Sequence, residues 1–358
     1  MTDTLYVASR KGLFAFRHNG RWQQAGPPAF LAQPVSALLK DPRDGALYVA
    51  LHHGHFGCKL HRSDDDGASW AELLPPAYPA SDAPDAPSLD MIWTIAAGGA
   101  DKPGQIWAGT LPGGLFRSND RGETWMLVEE LWNKPERAKW FGGGYDHPGI
   151  HSILVDPRNS DRMTVGVSCG GVWMSEDGGA TWAQGGHGFR ADFLPPEQAS
   201  DPVSQDPHHL SACAADPDRV WCQHHCAIFV SSDRGMTFTE LENVRPSGFG
   251  FAVAAHPTQS DTAYFAPAVK DECRVPVDGK LVVTRTTDGG KTVTSLGRGL
   301  PGEKCYDLIY RHAFVIDPEG TQMVMGSTTG NLWTSNDAGE SWVQVSSTLP
   351  PIAQVVFA

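Results

Sequence analysis

The histidines of this chain are bunched. The stretch ALHHGHFGCKLHRSDDDGASW, residues 50–70, carries His52, His53, His55 and His61, and further clusters follow as Asp146, His147 and His151, as Asp206, His208 and His209, and as His224, His225 and Cys226. Lys270, Asp271, Glu272 and Cys273, then Tyr306 and Asp307, then Tyr310, Arg311 and His312 continue the series. Neutral imidazole is a common ligand of Zn, Cu, Fe and Ni, and three or four histidines brought in from separate strands leave a coordination position open for water or substrate. His53, His55, His151, His209 and His225 are the candidate ligands of one divalent transition metal (Zn, Cu or Fe) that activates water or polarises a carbonyl. Asp271 or Glu272 is then the candidate general base or partner of a ligand, and Arg311 the holder of an anionic group. No HExxH spacing supports the metal, and the plainer alternative is that the same rings hydrogen-bond loop backbones or line a water-filled channel. Cys222 and Cys226, at strand spacing, stand about 13 Å apart by the usual rise and do not ligate together.

The elements that position these residues come from a repeat. SDDDGASW (63–70), SNDRGETW (118–125), SEDGGATW (175–182), SSDRGMTF (231–238), TTDGGKTV (286–293) and SNDAGESW (335–342) recur at intervals of 49 to 57 residues. A period near 50 with short alternating apolar segments predicts a propeller. Asp at the third position of each box accepts N–H groups of its own turn, Gly at the fifth takes positive φ, and the eighth residue, aromatic in five of the six, packs into the sheets. Six copies in one local context mark a hairpin clamp, not six catalytic acids. Between boxes each unit reads as four strands, as in HSILVDP, MTVGVS, GGVWMSED and TWAQG. The N-terminal DTLYVASRKGLFAFRHNGRWQQAG supplies three more strands and the C-terminal IAQVVFA one. Pairing these closes an all-β, seven-bladed β-propeller as a single domain over residues 1–358, with four-stranded antiparallel blades and no open sheet edge. Six blades with a cap is the alternative.

The six boxes resemble the Asp-box, or BNR, repeat of sialidase-like β-propellers, and over almost its full length the chain resembles bacterial BNR-repeat, glycosyl hydrolase-like proteins. The resemblance implies a carbohydrate or other small-molecule ligand. A sialidase grips a carboxylate with three arginines and uses a Tyr nucleophile activated by a Glu; Tyr306, Glu272, Arg274 and Arg311 are the residues that imitate part of that set. A glycosidase using two carboxylates, and a non-catalytic binding or assembly scaffold, are the other expectations.

The clamps join the third and fourth strands of each blade, which places the second-to-third turns and the entries into first strands on the opposite face. His52, His53 and His55, following the strand ALYVAL, belong to that face, as do the long loops NKPERAKWFGGGYDHPG and GGHGFRADFLPPEQASDPVSQDPH. A histidine-rich pocket there is the expected site of an enzyme acting on a small molecule. The net charge of -13 repels phosphate backbones, so nucleic acid is not an expected partner. The N-terminus enters a strand pattern directly and no apolar run approaches the length of a membrane span, so the expectation is a cytoplasmic protein without a membrane partner. Seven irregularly spaced cysteines fit reduced thiols. Nothing in the residues sets the oligomeric state.

Overall fold

The computed structural model describes residues 3–358. Seven four-stranded antiparallel sheets make up the all-β, seven-bladed β-propeller that the repeat predicts. The first blade is stitched from both chain ends, in the order Ile352–Phe357, Thr4–Ser9, Gly12–His18, Trp22–Gln24. This is the pairing expected of the isolated C-terminal strand: its amides and carbonyls are satisfied by the N-terminal strand, with Tyr6 opposite Val356 and Val7 opposite Val355. The other six blades follow one another along the chain between residues 35 and 346. By contact density the second, third and fourth blades form one compact unit, and the first, fifth, sixth and seventh another. The α-helix Glu129–Trp132 is a single turn, and no helix of the described residues is long and apolar enough to cross a membrane. All seven cysteines are free thiols.

The strands form because small and β-branched residues alternate with large ones on sheets buried on both faces. Leu5, Val7, Phe314, Met325, Trp333 and Val355 pack in one core of the four-blade unit, and Trp107, Ile150, Val165, Trp173 and Trp182 in one core of the three-blade unit. Trp173 and Trp333 are each only 1 % exposed, and burying an aromatic of that size contributes on the order of 2–3 kcal/mol.

The six boxes fold as one device. In the first of them the Ser63 hydroxyl donates to Asp65 Oδ1 (2.7 Å) and accepts from the Gly67 N–H (2.8 Å), while the N–H and hydroxyl of Ser69 donate to the two Asp65 oxygens (2.8 and 2.6 Å). The same four bonds recur around Asp120, Asp177, Asp233, Asp288 and Asp337. The first residue of the box therefore matters as much as the third. The backbone is also tighter than the glycine pattern implies, because the fourth residue takes positive φ as well as the fifth, including the non-glycines Asp66, Arg121, Arg234 and Ala338. The eighth position departs from expectation in two boxes: Trp182, Phe238 and Trp342 are buried, whereas Trp70 and Trp125 are only half-buried.

A second repeated feature carries no sequence signature. The first strands of the second to sixth blades each contain a β-bulge near their start, which leaves one extra residue opposite the second strand. Ser36, Trp93 and His151 occupy it in the three-blade unit; in the four-blade unit His208 occupies it in the fifth blade, and Phe251 falls within the two-residue step of the sixth. A bulge re-aims the residue it inserts.

Candidate functional site

The bulge in strand Pro207–Cys213 places His208 on the sixth blade, 2 % exposed. Its ring stacks on Phe251 at 4.4 Å and 9° and meets Phe249 edge-on at 5.8 Å. His208 Nδ1 lies 2.6 Å from the Gly250 carbonyl oxygen. A carbonyl only accepts, so Nδ1 carries a proton. His225, just beyond strand Asp216–His224, lies edge-on to His208 at 5.2 Å and to Phe193 at 4.8 Å. Phe251 is a shared platform, since the Arg274 and Arg311 guanidiniums sit 5.2 and 5.5 Å from its ring centre and the Tyr310 ring 5.0 Å away. Arg274 is oriented by a fork to Asp271, with Nε donating to Oδ1 at 3.0 Å, and by Tyr310 at 3.5 Å.

Two residues before His208, Asp206 is 5 % exposed. Its Oδ1 accepts from the Ser168 hydroxyl and the Cys169 N–H, both at 3.1 Å.

Of the five histidines selected from the sequence, His225 pairs with His208, and the other four make different contacts. His209, adjacent to His208 on an extended strand, instead accepts from the Val253 N–H at 3.5 Å and meets His312 edge-on at 5.2 Å. Burial, with the His312 and Arg311 charges adding, pushes His209 well below the usual imidazole range, so it is neutral near pH 7. In the three-blade unit His151 is fully buried, its Nδ1 2.9 Å from the Ser152 hydroxyl and its ring edge-on to Trp93. His53 Nε2 donates to Gln33 Oε1 at 2.9 Å, and exposed His55 packs its ring against Phe56.

The candidate catalytic groups are dispersed in role. Asp271 is committed to Arg274, Glu272 is exposed and paired with Lys270 at 3.3 Å, and Tyr306 is 70 % exposed. Asp307 is a structural acceptor: burial alone would raise it, but hydrogen bonds from Cys305, Ser327, Thr329 and Asn331 outweigh burial and hold it below the usual carboxylate range. Burial, reinforced by Asp307, pushes the Cys305 thiol up to about 12. Arg311 lies over Phe251, at the start of the short helix Arg311–Ala313.

Sequence reasoning passed over His208 as a ligand, and over Phe249 and Phe251 altogether. His208 and His209 are indistinguishable in the sequence; the bulge sets which one faces the cluster. A separate groove of about 400 Å³ in the four-blade unit, lined by Phe14, Phe16, Trp22, Gln24, Leu31 and Leu349, contains none of the candidate residues.

No family model matches the chain. A xyloglucanase of a Paenibacillus species is 24% identical over 311 residues, 73% of this chain and 28% of that protein. An oligoxyloglucan-reducing end-specific xyloglucanase of Emericella nidulans is 23% identical over 254 residues, 70% of this chain and 26% of its own length. Among solved structures, the GH74 xyloglucanase of Xanthomonas campestris superposes with a TM-score of 0.67 at 17% identity, over 97% of this chain and 53% of that one. The chain thus spans between about a quarter and half the length of the xyloglucanases it resembles, and at these identities the likeness to solved structures establishes the seven-bladed fold.

Proposed function

We propose that the chain acts on a carbohydrate as a glycoside hydrolase-type propeller, receiving its ligand on the surface formed by Phe193, His225, Arg274, Tyr310 and Arg311. The observation that carries this reading is the match to a xyloglucanase along 73% of the chain. The chemistry of the surface agrees with it. Sugars are bound by aromatic faces against their C–H faces and by planar charged or amide groups that take paired hydroxyls, and the fork of Arg274 and Asp271 beside Tyr310 and Phe251 offers both. Asp271 is the candidate carboxylate for general base work and Arg311 the group for an anionic substituent. The Asp-box, sialidase-like variant of this reading requires a third arginine, and Arg274 and Arg311 provide two around Phe251.

The test combines titration calorimetry with xyloglucan oligosaccharides and a reducing-end assay on the same oligosaccharides and on aryl glycosides. Binding with release, both lost in Asp271→Asn, supports the proposal. Binding without release moves the chain to a carbohydrate-binding scaffold. Neither binding nor release on the whole panel removes the carbohydrate reading.

A further inference from the structure

We infer that Arg137, held between Trp132 and Trp140 in the loop that leaves the third blade, is a binding site for the carboxylate of a small acidic ligand. Every residue of the site belongs to the three-blade unit, and the inference does not rest on the carbohydrate reading.

The loop builds the site locally. The single helical turn Glu129–Trp132 is anchored by Leu131, 1 % exposed, and Pro135 opens the short helix Pro135–Lys139. Trp140 follows directly, 7 % exposed, with its ring 5.8 Å from that of Trp173. A Cβ at Gly113 or at Gly170 would stand 3.2 or 3.0 Å from Trp140 ring atoms, so the indole is tightly seated. The Arg137 guanidinium carbon lies 3.2 Å from the ring centre of Trp132 and 5.5 Å from that of Trp140. Tyr78, 4.9 Å from Trp132, completes the aromatic surround.

The charge inside this surround has no counter-charge in the chain. Among the described residues the Arg137 side chain makes no ion pair or hydrogen bond, and its Nε is buried without an acceptor. Tyr78 is the one ionisable neighbour that acts on it, and burial pushes that phenol up to about 12, so it is neutral near pH 7. Burial pushes the guanidinium down to about 10, which leaves it charged but poorly solvated. Lys139 is paired with Asp201 at 2.9 Å, and Glu129, Glu130 and Glu136 are exposed. A desolvated charge without a partner is unfavourable, and a ligand carboxylate offsets it. With Nε buried, the Nη pair is the edge that such a ligand reaches.

The arrangement selects the ligand class. The coplanar N–H groups of a guanidinium match the two oxygens of a carboxylate, and one cation matches one negative charge. A phosphate ester carries nearer two charges and calls for more than one cation. Indole walls keep water from the ion pair, which strengthens it, and offer apolar contact to the carbon skeleton that bears the acid. Residues 133–140 carry three cations and one anion in a chain of net charge -13, so the loop is a local attractor for anions.

The experiment is isothermal titration calorimetry on the full chain at low ionic strength, with sodium acetate, sodium glucuronate, the neutral methyl ester of glucuronate and inorganic phosphate. Both carboxylates should bind, the ester about 10-fold more weakly or worse, and phosphate no tighter than acetate. Arg137→Gln removes the charge and Arg137→Lys the planar fork, and each should lose about 10-fold in carboxylate affinity. Arg311→Ala, on the surface proposed for carbohydrate, should keep the binding that the Arg137 variants lose, so failure of one reading is distinguishable from failure of the other. Glucuronate binding more tightly than acetate identifies the source as a sugar acid, and equal affinities identify a simple organic acid; both support the site. Tm without ligand separates loss of binding from loss of fold, and Arg137→Lys, which keeps the charge and most of the stem, keeps the test valid should Arg137→Gln misfold. No binding of either carboxylate, affinity unchanged in either Arg137 variant, or tighter binding of phosphate overturns the assignment.

Discussion

The clamp turns and the bulged first strands are both repeated, but they repeat different things. In the clamps backbone and side chains recur together: a hydroxyl at the first position, Asp at the third and a hydroxyl at the seventh make the same four bonds six times. In the bulges only the backbone recurs, while the inserted side chain changes from Ser36 to Trp93, His151, His208 and Phe251. Where chemistry repeats, it is directed inside the turn, three of the four bonds of each box ending on its Asp carboxylate. Where the backbone repeats and the side chain varies, the fold supplies a fixed direction and each blade spends it differently. The candidate site belongs to the second kind.

Changes at the clamps sharpen this contrast. The largest effect is expected at Trp182, which is 4 % exposed and donates from Nε1 to Gly179 O at 3.0 Å. Trp182→Ala should cost about 3–5 kcal/mol in urea unfolding. Half-buried Trp125 should cost clearly less when truncated, and equal losses at the two positions would break the distinction drawn between buried and half-buried box aromatics.

Next is the clamp carboxylate. Asp233→Ala removes the acceptor for the Thr237 N–H and hydroxyl and for Ser231, and should cost about 1 kcal/mol, as at a helix N-cap. The same bonds predict acid sensitivity. Hydrogen bonds led by Ser69 and Thr292 hold Asp65 and Asp288 down to about 2, and the other four clamp carboxyls are lowered too. An unfolded Asp titrates near about 3.9, so this stabilisation is complete above that value and is lost as pH falls toward about 2. Tm recorded across this window should fall in the parent and fall less steeply in Asp233→Ala. A parallel pair of curves would show that the clamp acids do not couple to folding.

The smallest effect is at Ala338, held at φ 53° in the fourth position of the last box. Relief of a left-handed alanine exceeds the added freedom of the unfolded chain, so Ala338→Gly should raise stability by about 0.5 kcal/mol. A loss of stability would mean that the left-handed fourth position is not strained.

Much of the fold was legible because its signals are local. The box spacing counts six hairpins, and the lone apolar strand IAQVVFA needs a partner that the N-terminal strand provides. The extent of aromatic burial was not legible, since Trp125 and Trp182 fill the same position of their boxes and yet differ in burial. The site was legible as a region and not as a set. His225 was selected from the sequence, yet its partner proved to be His208 and not His209.

By itself, then, the sequence determined the clamps, whose bonds close within eight residues, and, through its alternating apolar segments, the strand count and the strand that closes the first blade. Tertiary structure alone decided which side of a strand faces which neighbour. Successive residues of a strand point to opposite faces, and one inserted residue exchanges them. The bulge at His208 has no local residue signature, because it is set by how strand Pro207–Cys213 pairs with Asp216–His224, and that pairing leaves the His208 ring edge-on to His225.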